Sequence, residues 1–271
     1  MTSFLQRELI TVALCWRLER RDGAALGFTT HDRDLSIDGL IYRAAPGMLP
    51  SSISLSDGFD ADMLDVEGAL TSDAIRAADL KAGRWDGSIL SVFMVDWRDP
   101  AAQKLSVARG ELGEATLKGD GFEAELKGPT AILDRPVAEQ TSPECRALLG
   151  DRRCRIDMAP RTRLTRIAAV IAEDVVEVAS AAPGNAYAYG RLRWISGHSS
   201  GLENAILRSD DTRLTLRDAP DLAPQTGDLV EIQEGCDKSL ATCASRFANV
   251  ANFRGEPHLP GMDLLTRYPG A

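Results

Sequence analysis

A chain of 271 residues with 44% apolar and 26% charged residues has the balance of a folded globular protein, with material for one large or two ordinary domains. Its net charge of −9 excludes a broad, non-specific grip on nucleic-acid backbone, which needs clustered Lys and Arg. No run of about 18 apolar residues occurs, so no membrane span is predicted. The apolar stretch 9–14 is flanked by charges at short range and lacks a small-residue cleavage site, so it reads as a strand and not a leader. Synthesis in a reducing cytoplasm is expected, and disulfides are then disfavoured.

The first 130 or so residues read as mostly β. "LITVALCWRLERRDG" is a strand rich in Ile, Val, Leu and Trp that breaks at Asp22-Gly23. Leu35 and Ile37, then Asp38-Gly39, then Ile41 and Tyr42 form a hairpin signal. "DVEGAL" is a short strand, and "SDAIRAADLKAGRWDG" carries Ala74, Ala77 and Ala78 at helical spacing. The run from Ile89 to Trp97 is a buried strand, too short for most helices. "KLSVARGELGEATLKGDGFEAELKGPTAIL" predicts three strands separated by glycine-containing turns, the clearest being Gly119-Asp120-Gly121.

Prolines at 136, 143 and 160 break the next stretch, with a short helix expected over 146–149. "RTRLTRIAAVIAEDVVEVAS" then returns to β alternation, and 191–235 predicts four short strands with turns at 197–201, 210–211 and 224–228. That spacing suits a small barrel or sandwich. The expected fold is therefore mostly β: two barrel- or sandwich-like β domains joined by an irregular Cys-bearing connector, with an irregular C-terminal tail. The boundaries are 1–132 for the N-terminal domain, 133–164 for the connector, 165–235 for the small barrel and 236–271 for the tail.

Of the five cysteines, Cys15 sits in an apolar strand beside Trp16 and reads as a small core residue. The other four form two loop-borne pairs, Cys145/Cys154 and Cys236/Cys243, with eight and six residues between them. Arg146, Arg152, Arg153 and Arg155 surround the first pair, and Lys238 and Arg246 flank the second. Disulfides, a structural zinc site, a catalytic cysteine with His258, an iron–sulfur cluster, or no joint site at all are each open on chemistry alone. Zinc usually draws its thiolates from tighter knuckles. A cubane cluster is wider, so looser spacings reach its corners, and nearby Arg and Lys would offset its thiolate charge.

The segment "GCDKSLATCASRFANVANFRGEPHLPGMDLL", with "GRLRWISGHSSGLENAI" and "GFTTHDRDLSIDGLIYRA", resembles the baseplate hub proteins of long-tailed phages and gene transfer agents. The resemblance spans nearly the whole chain and is strongest at 27–43 and 187–264. The two cysteine spacings are also similar to those of the tail-tip protein L of lambda-like phages, although the interval between the pairs is longer here, with room for the β domain 165–235. The resemblance implies a [4Fe-4S] cluster in a structural role, held by Cys145, Cys154, Cys236 and Cys243, with zinc as the alternative metal. It implies a homotrimeric ring between a distal tail protein and a larger tail-tip or fibre protein, with DNA passing through the lumen without specific binding, in a particle assembled after cytoplasmic synthesis. No enzymatic activity is expected; the alternative is a tail-tip redox enzyme or cell-wall hydrolase using Cys243 and His258. The tail carries Phe247, Phe253, Met262, Leu264 and Leu265 without periodicity, so ligation would pin it. Closing the roughly 90-residue loop would remove on the order of 4 kcal/mol of unfolded-state entropy.

Two polar clusters remain. "TTHDRDL" gathers His31, Asp32, Arg33 and Asp34 but reads as a polar hairpin end or subunit contact. The acidic stretch with Asp57, Asp60, Asp62 and Asp65 lacks the ligand order of a calcium loop and reads as solvated or lumen-facing. His198 is expected on a surface turn.

Overall fold

The computed structural model of the chain describes residues 5, 8–44, 48–50, 63–69, 75–118, 121–128, 138–180 and 184–258. It is mostly β and divides into two compact units, Met1–Pro136 and Val137–Ala271. Asp57, Asp60 and Asp62, the 119–120 turn and the tail beyond 258 lie outside the described residues.

The first unit holds β1 (Val12–Glu19), β2 (Ala25–Thr29), β3 (Leu35–Ile37), β4 (Leu40–Arg43), β5 (Met48–Pro50) and β6 (Met63–Ala69). A short helix α1 (Ala77–Lys81) follows, then β7 (Ile89–Asp96), β8 (Lys104–Lys118) and β9 (Gly121–Lys127). They make one nine-stranded sheet in the order β3-β4-β2-β1-β7-β8-β9-β6-β5. The two central strands, β1 and β7, are buried on both faces. Trp16, Leu18, Leu90 and Val92 enter one core with Trp85 and Leu80, while Ala13, Cys15, Phe93 and Val95 enter another with Ile37 and Tyr42. Double burial is why these strands read as apolar runs without clean alternation.

The predicted hairpin forms as β3 and β4, with Leu35 opposite Tyr42. Asp38 and Gly39 take positive φ of 50° and 79°, the type I′ conformation that matches strand twist. The three strands expected over 104–130 are two, because β8 runs unbroken through Gly110 and Gly113 for 15 residues. There Gly110 lies where a Cβ would fall 2.6 Å from the Lys127 carbonyl oxygen, so the glycine marks a close strand approach and not a turn. Cys15 is fully buried, with its thiol against the Thr29 hydroxyl at 3.5 Å. Around His31 the loop is locally satisfied: Nδ1 accepts from the Arg33 N–H at 3.1 Å, and the ring lies 5.2 Å from that of Trp97.

In the second unit, β10 (Thr162–Ala172), β11 (Val175–Val178), β12 (Arg191–Trp194), β13 (Glu203–Asp210), β14 (Arg213–Leu216) and β15 (Leu229–Gln233) close a barrel in the order β10-β11-β14-β13-β12-β15. Inward positions recur at every second residue, as pleating requires: Leu192 faces Ile232, Trp194 faces Val230, and Val176 faces Leu214. These side chains are fully buried, and the Trp194 indole donates to Asn204 Oδ1 at 2.8 Å. Closure matters most at the β10–β15 seam, where Thr162 pairs with Gln233. The chain therefore enters and leaves the barrel at one point.

Candidate metal centre

That point is where the two cysteine pairs meet. Cys145 and Cys154 precede β10, Cys236 follows β15, and Cys243 lies on α2 (Leu240–Ser245). All four line a single cavity, walled also by Ile156 and Phe247. All four are free thiols, and Cys243 is buried.

Each sulfur is placed by local hydrogen bonding. The helix expected over 146–149 does not form: its Arg146 N–H goes to the Arg254 carbonyl and its Leu148 N–H to the Asp151 carboxylate. Oδ1 accepts from Cys154 at 2.6 Å and Arg153 at 2.8 Å, while Oδ2 accepts from Leu148 at 2.9 Å. The connector then zips onto the tail through main-chain bonds from Cys145 N–H to Lys238 O at 2.9 Å, Arg146 N–H to Arg254 O at 3.1 Å and Glu256 N–H to Ser142 O at 2.8 Å.

On the other side, Gly235 is the only residue type that fits, since a Cβ would fall 2.1 Å from both Ala188 O and Gly190 N. "DKSLATCAS", expected as part of an irregular tail, contains the helix α2. Ser239 caps it by accepting the Thr242 N–H at 3.1 Å, and Asp237 in turn accepts from Ser239 N–H at 3.0 Å.

The cations expected to offset thiolate charge are mostly committed elsewhere. Arg146 forks onto Glu256, with 2.8 Å from Nη2 to Oε1, and also reaches Glu139 at 3.2 Å. Arg153 pairs with Glu139 as well. Arg246 and Arg161 converge on Glu234 Oε2 at 2.7 Å each and flank the Phe247 ring, each guanidinium 4.9 Å from its centroid. The Lys238 ammonium donates to Ala147 O.

What reaches the sulfurs is amide N–H. Lys238 N–H points to Cys236 Sγ at 3.4 Å, Arg254 N–H to Cys145 Sγ at 3.3 Å, and the Asn249 amide lies 3.8 Å from Cys154 Sγ. Burial pushes the Cys236 thiol up, and burial followed by the other three cysteines does the same to Cys243. Four thiolates at this place need a bound cation to be held together.

The donor set is all sulfur, which suits zinc or an iron–sulfur centre. Among the described residues no three His, Cys, Asp or Glu side chains are gathered closely enough for a single metal ion. The four thiols instead line the cavity between them, each on its own stretch of wall. His258 is exposed and does not line the cavity, so it is not placed to act on Cys243. Nothing in the sequence marks out Asp151, Asn249 or Asn252 beyond their being polar residues beside cysteines in loops rich in turn formers.

Comparison with known proteins adds an independent line. The family model of the baseplate hub protein N-terminal attachment domain matches residues 1–157, and that of the phage conserved hypothetical protein BR0599 matches residues 185–263. No curated protein matches the chain. Among solved structures, the chain is similar to one described as "Virion of native gene transfer agent (GTA) particle", with 36% identity and a TM-score of 0.86, covering 99% of this chain and 94% of that one.

Proposed function

Because the chain belongs to the baseplate hub family defined by that N-terminal attachment domain, we propose that it is a structural hub of a phage-like tail or gene transfer agent particle, stapled by a [4Fe-4S] cluster. The observation carrying the structural role is the likeness to a virion chain over 99% of this one. In this reading the protein forms a homotrimeric ring, joins a distal tail protein to a larger tip or fibre protein, and surrounds the DNA exit path. Among the described residues no helix is long and apolar enough to cross a membrane. The net charge of −9 supports a lumen that repels DNA, and a ring whose lumen face lacks excess Asp and Glu would count against that part.

Cys145, Cys154, Cys236 and Cys243 would hold the cluster, which supplies a rigid, fully thiolate-ligated cross-link and leaves no open coordination for substrate. The role is therefore architectural. The convergence of all four cysteines on one cavity supports this ligand set.

Anaerobic purification followed by iron, sulfide and zinc analysis tests the cofactor. About four iron and four sulfide per chain with broad visible absorption are expected; stoichiometric zinc in a colourless protein would sink the cluster. Cys236→Ser should remove the colour and lower the melting temperature of the second unit. For the structural role, particles assembled without this chain should carry tails that lack the distal baseplate; complete baseplates would refute it.

A further inference from the structure

Beyond the four cysteines, the cavity is lined by two asparagines, Asn249 and Asn252, in the turn after α2. We propose that Asn249 is a positioning residue for the cofactor, orienting the Cys154 thiolate and donating one N–H to it, while Asn252 sets which way its amide faces. This rests on the reading of the four cysteines as one ligand set.

The geometry runs through both hydrogens of the Asn249 amide. Nδ2 is 2.6 Å from the Cys154 carbonyl oxygen and 3.8 Å from Cys154 Sγ, so one hydrogen serves each. The reversed amide would set an oxygen against a carbonyl oxygen and a sulfur, with no proton between them. Asn252 selects the productive orientation by donating from its own Nδ2 to Asn249 Oδ1 at 2.7 Å. The Asn249 main-chain N–H donates to Cys243 O at 3.0 Å. One residue thus touches a ligand from each pair, Cys154 through its side chain and Cys243 through its backbone.

An N–H directed at a ligating sulfur withdraws charge from it and favours the more negative, reduced state of the centre. Loss of that donor should therefore lower the reduction potential, a readout that mere loop stability would not move.

The experiment compares the anaerobically purified full chain with Asn249→Asp and Asn252→Asp by iron and sulfide content, visible spectrum and redox titration. Asn249→Asp keeps the shape and removes both donors. It is expected to lose at least half of the bound iron or, where loaded, to titrate at a lower potential and bleach severalfold faster in air. Asn252→Asp removes the donor that aligns Asn249 and puts its charge on a side chain that bonds Asn249 and not a sulfur, and a smaller shift in the same direction is expected. Should Asn249→Asp fail to fold, Asn252→Asp decides the matter alone. Variants with the iron content, spectrum and potential of the unsubstituted protein overturn the inference while leaving the cluster in place. An unsubstituted chain without iron and sulfide overturns the ligand-set reading itself, and this inference with it.

Discussion

Asp96 closes β7 with its carboxylate buried, accepting from the Thr11 hydroxyl at 2.7 Å and from the Arg98 N–H at 3.1 Å. The Thr11 bond, with the Arg98 amide and guanidinium, holds its pKa down to about 2 despite the burial. A folded-state pKa below the ordinary value of 3.8 means that its contribution is complete above that value and lost as pH falls toward 2. Roughly 2 kcal/mol of first-unit stability should disappear over that window. Asp96→Asn should flatten the melting temperature of the first unit between pH 4 and pH 2; an unchanged slope would rule the assignment out. Gly235 makes a steric prediction in the second unit. Gly235→Ala forces the 235 and 188–190 backbones apart and should destabilise by roughly 1–3 kcal/mol in thermal or urea unfolding.

At the scale of elements, α2 has only six residues, so its cap carries much of its definition. Ser239→Ala should cost about 1 kcal/mol, read as a lower urea midpoint. Some elements were legible because local chemistry decides them. The Asp38-Gly39 hairpin and the four barrel strands of 191–235 needed only turn residues and alternation. Others were not, because a distant partner decides them. Gly110 reads as a turn until Lys127 is seen against it, and 146–149 reads as helical until Arg254 and Asp151 are seen to take its Arg146 and Leu148 amides. The α2 helix hides inside a stretch with no apolar periodicity. The cysteines could be grouped only by resemblance, since spacing leaves their pairing open, and two of the three N–H groups that reach the sulfurs come from backbone that composition does not show.

In the whole molecule, the four cavity-lining cysteines belong to the unit Val137–Ala271, and Cys15 to the other. Residues 137–271 expressed alone should therefore bind iron in the same ratio as the full chain, and failure to do so would show that the site needs the first unit. The seam of the barrel has a consequence for how such a chain is put together. Thr162 and Gln233 are paired neighbours, and just outside them Arg161 bonds Glu234 twice, through its carbonyl and its guanidinium. The barrel strands are thus entered and left through a single gap about one strand pair wide, and the Ala186 carbonyl adds a second tie to the cysteine-bearing segment by accepting from Gly235 N–H and the Arg246 guanidinium. Removing the barrel and joining 161 to 234 by a tight turn would keep that gap closed but strip those contacts from Gly235 and Arg246. The long interval in sequence between the two cysteine pairs therefore costs no distance in space, because the barrel returns the chain to the point at which it left.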